Sequence, residues 1–125
     1  MKINHLDWGK CDWEMPKPSV KRKTYQGSEN YTVTMGVIMP NHVPGPHKHE
    51  YEQTVVILSG KCDFHVGDEV YTFDADVMEE GAVCFMTIPP NVMHWIENPY
   101  DRPVYNMDIF CPKRLEDRPE SVEVR

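Results

Sequence analysis

The stretch "GPHKHEYEQTVVILSG", residues 45–60, sets His47 and His49 one residue apart, then Gln53, then an apolar run over residues 54–58. In an extended chain, residues two apart face the same way. The two imidazoles therefore stand side by side, about 6 to 7 Å apart at the backbone, and one metal ion can be held by both. The run behind them has strand length and is rich in β-branched side chains. Similar short runs recur at residues 31–39, 62–66, 70–73, 83–88 and 104–110. None keeps a helical period, and eleven prolines and seven glycines separate them. Gly67-Asp68 reads as a tight hairpin turn, because glycine supplies positive φ and aspartate tolerates turn geometry. The pattern predicts an all-β chain folded as an antiparallel sandwich or small barrel.

Length and charge bound the rest. A chain of 125 residues fits one domain with an ordinary core. Thirteen basic against twenty acidic residues give a net charge of −7, which repels phosphate backbones and anionic membranes, so neither nucleic acid nor a membrane is expected as a partner. No stretch approaches the roughly 20 apolar residues of a membrane span, and Met1-Lys2-Ile3-Asn4 opens no signal region, so a cytoplasmic protein is expected. Cys11, Cys62, Cys84 and Cys111 lie too far apart for a Cys-x-x-Cys motif and read as free structural thiols. Three segments are expected: an irregular N-terminal arm over residues 1–27 carrying Trp8 and Trp13, a barrel over 28–112, and a charged tail over 113–125. The basic stretch "VKRKTY", residues 20–25, reads as a solvated strand edge.

Later in the chain, "IPPNVMHWIEN" supplies Pro89, Asn91, His94 and Asn98. Together, His47, His49, Gln53 and Gly60, followed by Pro89, His94 and Asn98, resemble the two ordered motifs of the cupin superfamily. The likeness extends over about residues 30 to 112. It implies a double-stranded β-helix, or jelly-roll barrel, holding one divalent metal, with His47, His49, Gln53 and His94 as ligands. Three features depart from the family pattern: Gln53 stands where glutamate is usual; Asn91 replaces a glycine, a mild change because asparagine tolerates turn conformations; and seven residues separate Gly81 from Pro89 where the family has five, an even insertion that preserves strand alternation. The glutamine matters chemically. Three neutral imidazoles and a neutral amide leave a divalent ion its whole +2 charge, which favours anionic oxygens and Lewis-acid chemistry; the 2-His-1-carboxylate triad of non-haem iron oxygenases instead places an anionic donor where this chain has an amide. Zn, Mn, Fe, Co and Ni all suit such a set.

In "NMDIFCPKR", Asn106, Asp108 and Phe110 alternate onto one face. With the histidines, this stretch resembles the small cupins of pectin and alginate breakdown, which convert unsaturated uronates to linear keto acids. That resemblance implies Asp108 as a proton carrier, Arg114 as the partner of a substrate carboxylate, and Phe110 in the substrate pocket, where Met35 and Trp95 are also expected. The function expected is isomerisation or tautomerisation of a small oxygen-rich anion, a sugar acid or keto acid. A metal-dependent dioxygenase or lyase and a non-catalytic sensing cupin stand as alternatives on the same scaffold. Finally, residues 54–58 are apolar on both faces, and a barrel uses only one for its cavity. The other face needs a cover, and a homodimer is expected.

Overall fold

The computed structural model describes residue 3 and residues 5–76 and 83–114. Nine strands run through these residues: β1 (Glu14–Lys17), β2 (Val20–Tyr25), β3 (Thr32–Ile38), β4 (Glu52–Ser59), β5 (Lys61–Val66), β6 (Glu69–Asp74), β7 (Cys84–Ile88), β8 (His94–Glu97) and β9 (Val104–Cys111). They form two antiparallel sheets, one ordered β1-β2-β3-β9-β4-β7 and the other β6-β5-β8. This is the jelly-roll arrangement expected for the fold. The β5–β6 hairpin closes through Gly67-Asp68, with Gly67 at φ 57 and Val66 paired to Glu69. Residues 115–125 of the expected charged tail lie outside the described residues.

The core lies between the sheets. Ile38, Val55, Ile57, Cys62, Phe64 and Ile88 pack there, at alternate positions on strands whose β-branched and aromatic side chains suit a pleated, buried face. Cys11, Cys62, Cys84 and Cys111 are all free thiols.

Two features differ from the sequence reading. Residues 14–17, expected to be irregular, form β1, and "VKRKTY", expected as a solvated strand edge, is β2, a partly buried inner strand that pairs with β1 on one side and with β3 along its whole length on the other, from Val20↔Ile38 to Tyr25↔Val33. The arm is thus part of the larger sheet. Its Lys23 is buried on the outer face, where the ammonium lies 4.2 Å over the Trp13 ring and donates to the Trp8 carbonyl, which satisfies a charge that burial would otherwise penalise. The second difference concerns which face of β3 turns inward. Thr34, Gly36 and Ile38 line the interior cavity, so Met35 points to the opposite face, between Lys23 and Met107 in the register. Met35 is therefore not a pocket residue.

The pairing across β2, β3, β9 and β4 arranges the inward side chains in rows. One row reads Thr32, Phe110, Gln53; the next Thr24, Thr34, Asp108, Val55; and the third Arg22, Gly36, Asn106, Ile57. Rows on one strand are about 7 Å apart and neighbouring strands about 4.8 Å. This grid fixes where the site's groups stand.

Candidate metal centre

His47 and His49 lie on an extended segment ahead of β4 rather than within a strand, and backbone pairing fixes both. The His47 N–H donates to the His94 carbonyl at 3.1 Å and the His94 N–H returns to the His47 carbonyl at 2.9 Å. The His49 carbonyl accepts the Asn91 N–H at 2.8 Å, and Asn91 makes that turn at φ 64, the left-handed conformation for which the family motif usually has glycine. The two motifs are thereby tied together. The rings meet edge to face, with centroids 4.4 Å apart for His47 and His94 and 5.0 Å for His49 and His94. The ligating nitrogens of all three lie within 4.8 Å of one another.

The tautomers suit a cation. His47 Nδ1 faces the Gly45 carbonyl at 2.7 Å and His94 Nδ1 faces the Val92 carbonyl at 2.8 Å, so each Nδ1 carries the proton and donates it. Their Nε2 lone pairs are left for a ligand. His94 is 2% exposed, and its Nε2 is buried without a hydrogen-bond partner. Such orphaned acceptors cost stability unless something outside the protein fills the role. His49 Nδ1 approaches the Tyr51 carbonyl at 3.3 Å, while its Nε2 lies 2.9 Å from Gln53 Oε1. With the proton on Nδ1, two lone-pair atoms converge, as they do around an ion. Gln53, 4% exposed at the first inward position of β4, brings its amide oxygen to the edge of the histidine cluster. Burial, helped by the neighbouring His47 and His49, pushes the His94 imidazole down to about 4 against the raising effect of the Val92 carbonyl. Burial also lowers His49, with Arg114 and His47 adding to the effect against the hydrogen bonds to Gln53 and Tyr51. Both rings are neutral at pH 7, the form that binds metal. The donor set fits a divalent ion.

A model of the family described as "Cupin domain" matches residues 34–110. The chain is a cupin. No curated protein sequence matches it. Among solved structures, this cupin is similar to KdgF from Halomonas sp., at 17% identity and a TM-score of 0.73 over 87% of this chain and 94% of that one. It is also similar to an RmlC-like cupin from Shewanella frigidimarina, at 18% identity and TM-score 0.75 over 89% and 93%. A third likeness is to TT1209 from Thermus thermophilus, at 16% identity and TM-score 0.68 over 90% and 100%. At these identities the structures share the fold.

The cupin's histidine cluster opens onto a cavity of about 360 Å³, within the range of small-molecule sites. His47, Gln53 and His94 line it together with Asp108, Phe110 and Arg114, so the sequence-predicted groups converge. Phe110 meets the His49 ring edge to face at 5.4 Å, and the Arg114 guanidinium lies 4.5 Å over the Phe110 ring. The Arg114 backbone N–H donates to Thr32 Oγ1 at 3.0 Å, which holds the arginine at the end of the Phe110 row. Trp95 borders the cavity, yet its indole stacks on His65 at 4.5 Å and donates to Glu97 at 3.3 Å, so its ring is engaged by partners of its own.

Sequence reasoning missed Lys17, Arg22 and His42 in the cavity wall. His42 fits no ligand spacing. It is held against Ser19 Oγ at 2.7 Å, and burial together with the Lys17 charge lowers its pKa. The alternation Val20, Arg22, Thr24 in "VKRKTY" was the available signal, and it was obscured by the lysines between.

Proposed function

We propose that this cupin binds one divalent metal through His47, His49, Gln53 and His94 and acts on a small oxygen-rich anion, a sugar acid or keto acid, by isomerisation or tautomerisation. The observation that carries this reading is the meeting of Asp108 and Arg114 with the histidine cluster in one cavity. The likeness to KdgF supports it. The bound ion would supply a Lewis acid of undiminished +2 charge that stabilises negative charge developing on a substrate oxygen.

The chain's own groups divide the remaining work. Arg114 pairs with the substrate carboxylate and, stacked on Phe110, presents its planar fork in a fixed orientation. Asp108 stands one row from Gln53, so a substrate held by Arg114 lies within its reach. As an enol becomes a ketone, its O–H proton leaves and a proton arrives on the adjacent carbon. Asp108 is the group that carries such a proton, and no atom is gained or lost overall. Phe110 walls the reacting carbon from water.

Replacing Asp108 with asparagine tests the reading. Metal content and anion affinity should persist while turnover falls by roughly 10² to 10⁴, the usual worth of a general acid or base. Unsaturated galacturonate and mannuronate monomers are the substrates of choice, with loss of the ring form followed by proton NMR. A variant that loses thermal stability and activity in parallel would remove Asp108 from the chemistry. Metal-loaded wild-type protein that accelerates neither compound would exclude unsaturated uronates.

A further inference from the structure

The cavity is cationic in an acidic protein. Lys17, Arg22 and Arg114 line it, and the one carboxylate among its lining residues is Asp108, although the chain as a whole carries −7. The cations sit at two ends. Arg114 is anchored at the Thr32–Phe110 row, whereas Arg22 occupies the Gly36–Asn106 row, four residues away along β3. At about 3.3 Å per residue the rows are separated by roughly 13 Å.

The far end is built rather than incidental. Asn106 is only 7% exposed, lines the cavity, and has its Oδ1 buried without a hydrogen-bond partner. Its amide leans over Gly36, where an added Cβ would stand 2.7 Å from that oxygen, so the glycine makes room for it. Gly36 is the register partner of Asn106 on one side and of Arg22 on the other. The amide and the guanidinium therefore flank the same gap. Arg22 Nε is likewise buried without a hydrogen bond; it forms an ion pair with Glu14, whose Oε2 at 3.9 Å is too far to accept a hydrogen bond. Lys17, more exposed, stands at the mouth with its ammonium beside Gly45, and no ion pair engages it among the described residues.

We propose that Arg22, Lys17 and Asn106 form a second, acid-binding end of the cavity, so that the ligand is a hydroxylated dianion with a carboxylate at each end. This rests on the reading of the site as a metal-dependent anion site, and it calls for a second carboxylate that a uronate monomer does not carry. Arg22 and Lys17 take the second carboxylate, and Asn106 Oδ1 accepts from a hydroxyl beside it. A six-carbon diacid, with about 6 Å between its terminal carbons when extended, is shorter than the row separation and leaves room for a side chain at each end.

Calorimetric titration of the Zn(II)-loaded protein with galactarate, a six-carbon hydroxylated diacid, and with galactonate, its mono-acid counterpart, provides the test. Galactarate should bind at least tenfold more tightly. Arg22→Gln and Lys17→Gln, singly and together, should reduce galactarate affinity by tenfold or more, whereas Lys21→Gln, on the outward face of β2, should not change it. Lys17 is exposed, so its variant keeps the test intact if Arg22→Gln does not fold. Equal affinity for the two acids, or a galactarate preference that survives both substitutions, overturns the second end while leaving the metal-dependent anion site standing. Absence of binding by either acid overturns both.

Discussion

Replacing His94 with leucine separates a ligand from a core histidine by the sign of its effect. In the metal-free protein, His94 Nε2 is a buried acceptor with no partner, and such a group costs about 1 to 3 kcal/mol. Leucine removes that cost, has nearly the same volume, and forfeits the bond from Nδ1 to the Val92 carbonyl, worth about 1 kcal/mol. The net change in the absence of metal is therefore between zero and about 2 kcal/mol of stabilisation. With zinc at a hundredfold excess over its dissociation constant, wild-type protein gains about 2.7 kcal/mol, or about 10 °C in Tm for a domain of this size. The variant should show less than a quarter of that gain. Thermal unfolding followed by circular dichroism, in chelator and in zinc, reads both quantities. A metal-free variant destabilised by more than about 2 kcal/mol would mean that His94 is held for packing. A zinc shift equal to that of wild type would remove it from the ligand set.

Gln53→Glu should retain zinc yet bind galactonate at least tenfold more weakly, because a carboxylate cancels one unit of the ion's charge; two unit charges 4 Å apart at an effective dielectric of 20 set a ceiling of about 4 kcal/mol. Unchanged anion affinity by calorimetry would refute that electrostatic argument. Burial, with smaller contributions from Asp63 and Cys84, pushes the Cys62 thiol up to about 12, so about one molecule in 10⁴ is thiolate at pH 8. Iodoacetamide should label exposed Cys111 and spare Cys62 in folded protein, and peptide mass spectrometry showing equal labelling would contradict it. Sedimentation velocity should give a species of about twice the 14.6 kDa chain mass, reduced to the monomer by Phe85→Glu, since Phe85 is 64% exposed on the outer face; a monomeric wild type at micromolar concentration would refute the dimer.

The strands, the hairpin at Gly67-Asp68 and the convergence of His47, His49, Gln53 and His94 were legible because each rests on local signals: period-two runs, a turn pair, and two spaced motifs. The Asn106, Asp108, Phe110 face of β9 was legible for the same reason. β1 was not, and β2 was legible only as a solvated strand edge. β1 pairs with β2 and β2 with β3, and a run such as "VKRKTY" carries no apolar face of its own. It becomes a strand because Lys23 finds the Trp13 ring and the Trp8 carbonyl, contacts that a local pattern does not display. Arg22 then turns inward simply by alternation.

The misplacement of Met35 has a more general cause. An alternating strand is ordinarily read with its apolar side toward the core. In β3 the apolar side, Val33 and Met35, turns outward, and Thr34 and Gly36 turn inward. The two faces are reversed because the barrel encloses a polar cavity as well as a core. Side chains that surround a metal ion and an anion must offer hydrogen bonds or leave space, and threonine, asparagine and glycine do both. The reversal leaves the outer face of the larger sheet apolar where β3, β9, β4 and β7 adjoin. Met35, Met107, Val56 and Phe85 form one continuous row there, and Trp8 and Trp13 of the N-terminal arm meet the sheet at Lys23 on β2. A polar interior and an apolar exterior are thus two consequences of one choice of register. The chemistry proposed for the cavity and the dimer expected on the opposite face follow from the same alternation in "TVTMGVI".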